Sequence, residues 1–343
     1  MIRFCLSVMA AAGLTAAPAQ SQETAPIDEP EDAFLSSYDE SGTFTFVWEN
    51  DYFANTDRNY TNGLRLSYIS GFKQPNGVTR WVADNILGAD ERAGVRRGFA
   101  VGHSIFTPQD TAASAPLPDQ HPYAGWLYGE YSVVVEQENI IDQFTLQGGI
   151  VGPSAGGEFV QNNWHDIIGG DPVNGWDNQI GDEPGFVLSY ERKLRALARG
   201  GDHELGFDIT PSYGGSVGNV NTHARTGLVL RVGANLNNDY GPPRVRPSLA
   251  GGGYFSPQDR FSWYVFAGAE GRAVAHNIFL DGSLFRDGDP SVDSNVFVGD
   301  FQAGIVLQVR RFQLAYTNVF RTKEFATQKG AQQFGAVSFS VKF

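Results

Sequence analysis

Cysteine is all but missing from this chain: among 343 residues the one cysteine is Cys5. It sits in a stretch that reads as a cleavable leader, so the mature chain is expected to have no disulfide and no thiol chemistry. The cysteine's early position and the lack of a lipobox-like context also argue against lipoprotein attachment. Positive charge is short as well, with 25 Lys and Arg against 38 Asp and Glu and a formal charge of −13. That balance excludes nucleic acid as a partner, because a polyanion is gripped by Lys and Arg. Long apolar runs are absent too. The leader, MIRFCLSVMAAAGLTAAPAQ, has Arg3 as its positive region and residues 4–14 as a short apolar one. Ala17-Pro18-Ala19 gives a small-x-small cleavage site, so residues 1–19 are expected to be removed. The apolar stretch is too short to span as a helix, and no later stretch approaches the ~20 apolar residues a transmembrane helix needs.

What the chain does have is 41 Gly, 25 Phe and 13 Tyr at a mean hydropathy below zero. A transmembrane β-barrel wall has this profile, because lipid-facing and lumen-facing residues alternate along each strand. The C-terminal segment FGAVSFSVKF carries the pattern most clearly. Val337, Phe339, Val341 and Phe343 fall on one face, with Ser338, Ser340 and Lys342 on the other. Period-two alternation ending on a terminal aromatic predicts a final amphipathic strand. Similar segments recur at 43–50, 60–70, 97–106, 125–136, 142–151, 184–195, 203–213, 223–236, 261–273, 295–309 and 312–321. The fold expected is all-β, an antiparallel transmembrane barrel of about 12 strands with both ends on the periplasmic side. Residues 20–41, acidic and proline-bearing, read as a disordered lead-in, and residues 42–343 as one outer-membrane barrel domain. The connections at 71–96, 107–124, 152–183, 237–260 and 274–294 are long, and long barrel loops are expected on the outer face. The loop 152–183 holds a helix, with Val160, Trp164, Ile167 and Ile168 on an apolar stripe. Gln161 and His165, four apart, share an adjoining polar face.

Three patches are too polar for barrel wall. The first, at the end of strand one, contains Asn50 and Asp51, which an Asx-turn that stops the strand would also explain. The second opens strand two with Thr61, which antiparallel pairing brings close to Asn50 and Asp51. The third is the loop helix with Gln161 and His165. A loop histidine is usually only solvated, but His165 has Gln161 on its face and a glycine-rich approach that lets the helix dock. The chemistry this set suits is hydrolysis by an activated water, with histidine accepting a proton near neutrality. Asp51, with oxygens of Asn50 and Thr61, is a candidate holder of a hard divalent cation that polarises an ester carbonyl.

These residues, taken in order, resemble the outer-membrane lipid A 3′-O-deacylases. The likeness covers nearly the whole mature chain. Its parts are N-D at 50–51, D-R-x-Y-T-x-G at 57–63, Phe106-Thr107-Pro108, P-Y-A-G-W-L-Y at 122–128, and G-P-x-A-G-G-x-x-V-Q-N-x-x-H-x-I-I-G at 152–169. The resemblance implies a twelve-stranded barrel with an outward-facing site between the wall and the loop helix. It implies lipid A or lipopolysaccharide of the outer leaflet as the lipid partner and Ca²⁺ as cofactor; a monomer is expected. His165 would be the base and Gln161 its helix neighbour. Asn50, Asp51 and Thr61 would act with the metal, and an acidic residue six after the histidine, Asp171, would join the ligand set. Two features depart from the family's pattern. A lysine in the loop after strand three is replaced by the Ala112-Ala113-Ser114 region, and D-R before P-Y-A-G is replaced by Gln120-His121. A lipid A phosphate in that region would need a cation from Arg58, Arg80 or Arg92, or the favoured lipid carries fewer phosphates there. Two other readings compete: a serine-dependent outer-membrane phospholipase A, for which His103-Ser104 is the nearest pairing in sequence, and a porin or structural barrel.

Overall fold

The computed structural model describes residues 39–54, 59–72, 75, 77–169, 173–241 and 253–343, all within one compact unit, Leu35–Phe343. The leader 1–19 and the lead-in up to residue 38 lie outside the described residues. From Asp39 onward the lead-in is tied down, not disordered. The Asp39 carboxylate meets Arg96, Ser256 and Lys342, and its carbonyl accepts from Phe72 N at 2.7 Å.

Twelve long strands make the wall: β1 Thr43–Asn50, β2 Asn59–Ile69, β3 Gly94–Thr107, β4 Ala124–Gln137, β5 Ile140–Val151, β6 Glu183–Leu194, β8 Gly206–Gly218, β9 Asn221–Ala234, β10 Phe261–Asn277, β11 Phe297–Val309, β12 Phe312–Arg321 and β13 Gln332–Lys342. The short β7, Ala198–Gly201, pairs only with the start of β8. Neighbours in sequence pair antiparallel, β1 pairs with β13, and β6 pairs with β8, which closes the barrel. Every expected strand segment has its counterpart in the wall. The largest difference is at 203–213, where Asp202 accepts from the amides of Glu204 and Leu205, both at 2.9 Å. That Asx-type turn folds 198–206 into a hairpin and delays the wall strand to Gly206.

Side-chain alternation follows the sequence pattern. In β1, Phe44 and Phe46 are 44% and 45% exposed, whereas Thr43, Thr45, Val47 and Glu49 are buried. In β13, Phe339 faces out while Ser338, Ser340 and Lys342 are buried inside. The bore is filled, not open. Arg65 meets Glu130 at 2.7 Å, Arg225 lies between Glu191 and Glu270 at 3.2 and 3.5 Å, and Arg272 and Arg321 share Asp300 at 3.2 and 2.8 Å. Charges out of water persist only when paired in this way.

The placement of two long connections corrects the sequence reading. Strand direction puts the described residues of 70–93 and 235–260 at the end where β1 begins and β13 finishes, which in bacterial barrels is the periplasmic end. They are therefore not outer loops, and their length has a different use. Described residues of the second segment cross the bore as a plug. The hydroxyls of Tyr240 and Tyr254 donate to Glu136 of β4 at 2.6 and 2.5 Å. Asp239 takes hydrogen bonds from Arg231, Tyr264 and Gln313, and Asn238 donates to Gln308. The first segment carries helix α1, Gly77–Asn85, whose Val82 and Ala83, with Leu87 just beyond, cover Val95, Val133 and Val135 on the outside of the wall.

Candidate functional site

The loop between β5 and β6 folds back over the wall. It begins with a 3-10 turn, Pro153–Ala155, and continues into helix α2, Gly157–Ile168. Gly156, at φ 73°, joins the two, and Gly169, at φ 71°, ends the helix with its N–H on His165 O. Both left-handed positions favour glycine. At Gly157 a Cβ would meet the Trp176 ring at 2.7 Å, so that glycine lets the helix start pack against tryptophan. The glycine-rich run before the histidine is thus a device for docking.

The docking face is the outside of the barrel. His103 and Ile105 share the outward parity of β3 with the exposed Phe99 and Val101. His103 Nε2 lies 2.9 Å from Ala155 O, and Ile105 packs in a core with Tyr123, Val160, Val173 and Trp176. Further along α2, Trp164 meets Trp48 of β1 edge-on, with ring centroids 5.4 Å apart. Trp48 Nε1 donates to Asn62 Oδ1 at 3.0 Å, and Asn50 Nδ2 reaches the same oxygen at 3.3 Å. One connected set of contacts therefore runs from α2 to Asn50. Gln161 is buried, and its Oε1 accepts from Trp176 Nε1 at 3.1 Å. Its Nε2 is buried with no hydrogen-bond partner among the described residues. His165 is half-buried beside Trp164, one turn on from Gln161. The expected apolar stripe is only partly internal: Val160 and Trp164 pack inward, but Ile167 is 76% exposed. The side chain of Ile168 lies outside the described residues.

Thr61 reaches this face through a β-bulge. The β2–β3 register slips between Tyr60 and Asn62, leaving Thr61 without an opposite residue. By simple alternation with Arg65 and Ser67, Thr61 would point into the bore. The extra residue turns it outward, and its hydroxyl lies 2.7 Å from that of Thr107. Asn50 does make the Asx-turn, its Oδ1 accepting from Tyr52 N at 2.8 Å. Asp51, 2% exposed, then starts the 3-10 turn Asp51–Ala54. Asn50 and Asp51 thus stand at the outer end of β1 and Thr61 at that of β2, on the face where α2, with Gln161 and His165, packs through Trp164, while Asp171 lies outside the described residues.

The family profile described as Outer membrane protein LpxR matches residues 4–343. The chain belongs to that family. Among solved structures, LpxR from Salmonella typhimurium is similar at TM-score 0.69 and 20% identity, covering 88% of this chain and all of that one. The β-domain of the Bordetella autotransporter BrkA, at TM-score 0.43 and 10% identity, covers 88% of this chain and 99% of that one. The translocator domain of NalP from Neisseria meningitidis stands at 0.36 and 9% identity, covering 88% of each chain. No curated protein sequence matches. The chain is an outer-membrane β-barrel of the LpxR family.

For a member of the LpxR family, the donors available to a cation at this site are oxygens: one carboxylate, Asp51, with the amide of Asn50 and the hydroxyl of Thr61. Such a set is of the kind Ca²⁺ accepts. Among the described residues no three of His, Cys, Asp and Glu gather as metal ligands. The serine reading finds no support at His103-Ser104, because Ser104 lines the bore while His103 faces out to Ala155. A serine–histidine contact does occur, Ser216 Oγ to His223 Nδ1 at 2.9 Å. It lies inside the bore, and the cavity that His223 lines holds about 60 Å³, too little for an acyl chain. Sequence reasoning missed Asn62, Trp48 and Trp176 as parts of the site. A usable signal was present for Asn62, an amide on the lipid-facing parity of a wall strand.

Proposed function

We propose that this chain is an outer-membrane acyl-ester hydrolase that removes acyl chains from lipid A by 3′-O-deacylation. The observation that carries the reading is the Trp164–Trp48 contact. It seats the His165 helix on the outside of the wall, where a lipid can arrive sideways from the outer leaflet, whereas the bore is plugged and paired.

In this reading His165 takes a proton from a water that attacks the acyl carbonyl. The carbon–oxygen ester bond then breaks, the sugar oxygen leaves with a proton, and a free fatty acid results. Gln161 Nε2, a buried donor, is poised to orient the water or the ester oxygen. Asn50, Asp51 and Thr61 would hold Ca²⁺, which when bound supplies positive charge to the developing oxyanion. The test is His165→Ala and His165→Gln, with hydrolysis followed by mass spectrometry of lipid A. Both variants are expected to insert normally and lose ~10²-fold or more in rate. Retained hydrolysis in both removes His165 from the mechanism.

A further inference from the structure

Helix α1 lies against the outside of the wall at the end opposite α2. The segment that carries it holds Arg80 and Arg92, two of the arginines considered as counter-charges for a lipid A phosphate. Their periplasmic position removes both from that role, and Arg58 is outside the described residues. On the outer side of α1 an aromatic row crosses four strands. Phe44 pairs with Tyr68, Tyr68 with Phe99, and Phe99 with Tyr131, all on the lipid-facing parity. The Phe44–Tyr68 and Phe99–Tyr131 ring centroids are 5.2 and 5.3 Å apart. Barrels carry aromatic girdles of this kind where hydrocarbon gives way to head groups. The valines that α1 covers stand on the periplasmic side of the row, because Val95 precedes Phe99 in β3 and Val133 and Val135 follow Tyr131 in β4. The hydroxyls of Thr79 and Tyr131, 2.6 Å apart, tie the helix to the girdle.

The residues around α1 divide into three faces. Thr79, Val82 and Ala83 are buried toward the wall. Val78 and Trp81, three apart on one flank, are 69% and 58% exposed, and Ile86, just past the helix end, is exposed as well. Arg80 and Asp84, four apart on the other flank, pair at 2.7 Å. A helix with one apolar flank and one charged flank suits the plane of a bilayer surface, and tryptophan favours that level. Beside the helix stands Arg97, on the lipid-facing parity of β3 and paired across the strands with Val133. Its neighbour Arg96 turns the other way, into the bore, and meets Asp39 and Glu136. Arg97 is exposed, and no carboxylate among the described residues pairs with it. A guanidinium at the lipid boundary is matched by a phosphate, which it can grip with two parallel hydrogen bonds.

We propose that α1 lies in the head-group layer of the periplasmic leaflet and, with Arg97, binds a glycerophospholipid there. The lipid phosphate sits on the Arg97 guanidinium, and its acyl chains lie against Val78, Trp81 and the aromatic row. The surface is continuous with the lipid-facing wall through Phe99 and Tyr131, so its occupant is lipid and not a second protein. The inference stands apart from the hydrolase reading, which concerns the opposite leaflet. A helix held at one level in the periplasmic leaflet fixes the depth of the barrel, and so the height at which α2 meets the outer one.

The test has two arms. In the first, the barrel is reconstituted into phosphatidylglycerol vesicles whose acyl chains carry bromine as a fluorescence quencher. The signal of wild type minus that of Trp81→Phe isolates Trp81 among the 6 tryptophans. A ring about 5–10 Å below the surface is quenched more by bromine near the ester end of the chain than by bromine near its tip, and that order is expected. Quenching by aqueous iodide alone puts α1 in water and overturns the proposal. Quenching by neither agent puts α1 under a protein partner and overturns it too. In the second arm, native mass spectrometry reads the lipid retained on barrels released into detergent. Arg97→Gln should retain phosphatidylglycerol about tenfold less than wild type and should retain diacylglycerol, which has no phosphate, equally. Arg97→Lys, which keeps the charge, should recover most of the retention. Heat-modifiable gel mobility reports that each variant is folded. Equal retention of phosphatidylglycerol by wild type and Arg97→Gln overturns the phosphate site.

Discussion

Removing the Trp164 ring should detach α2 from the wall, and the size of the effect follows from what the ring touches. A tryptophan buries up to ~250 Å², and Trp164 is half-buried. If the wall covers about half that area, the gain at ~25 cal/mol/Å² is roughly 3 kcal/mol. The edge-on pair with Trp48 at 5.4 Å adds about 1 kcal/mol. An extended-chain reference overstates burial by roughly 10–40%, so Trp164→Ala is expected to weaken docking by about 3 kcal/mol, roughly a hundredfold. The assay is amide hydrogen exchange of residues 157–168 in lipid nanodiscs, read by mass spectrometry beside the hydrolysis rate. Exchange of α2 should rise by about two decades and hydrolysis should fall with it, while Trp164→Phe recovers most of both. A cycle with Trp48→Ala should give a coupling of about 0.5–1.5 kcal/mol. Trp48→Phe, which keeps a ring but loses the N–H on Asn62, separates the ring contact from the hydrogen bond. Unchanged protection of α2 in Trp164→Ala, or zero coupling in the cycle, would refute the account of how His165 is held.

Three further outcomes are expected. Chelation should abolish hydrolysis and Ca²⁺ should restore it better than Mg²⁺, because an irregular set of oxygens suits the larger ion; full activity in excess chelator rejects the metal. Thr61→Val should strip the buried Thr107 hydroxyl of its partner and cost about 1–3 kcal/mol. Thr61→Ser should restore the loss, and a gel-mobility melting curve with no difference between the two removes the bulge contact from the site. His121 lies in an outer loop, and burial holds its pKa below the ordinary value, with the Pro122 carbonyl and Glu324 acting the other way. The opened loop therefore binds a proton near pH ~6.5 that the closed loop refuses. Stability of the closed loop is full above that pH and is lost as pH falls through it. Exchange of residues 108–123, corrected for intrinsic rates, should rise between pH 7.5 and 5.5 in wild type and not in His121→Phe; equal rises in both would show that another group is titrating.

The barrel was legible in the sequence because its cause is local. Alternation of Phe, Val and Leu with Ser, Thr and charged residues sets which face of each strand meets lipid, and a period of two needs no knowledge of neighbours. The same local logic marked the loop helix and its Gln161–His165 face. Loop placement was misread where length alone was used. Residues 70–93 and 235–260 look like outer loops until strand direction is counted, and only then does Tyr254 prove to reach across the bore to Glu136. The site depended still more on three dimensions. Thr61 has the parity of the bore residues, and the slip at Tyr60/Asn62 that turns it outward is a mismatch between two strands. Trp164 stands far from Trp48 in sequence, and only the folded wall, with β1 and β5 in one sheet, brings the two rings together. Sequence by itself determined the alternating wall and the residues able to do chemistry. The tertiary structure decided which side of the wall they serve, because side-chain direction at a bulge and proximity across a closed sheet belong to pairs of strands and to no single segment.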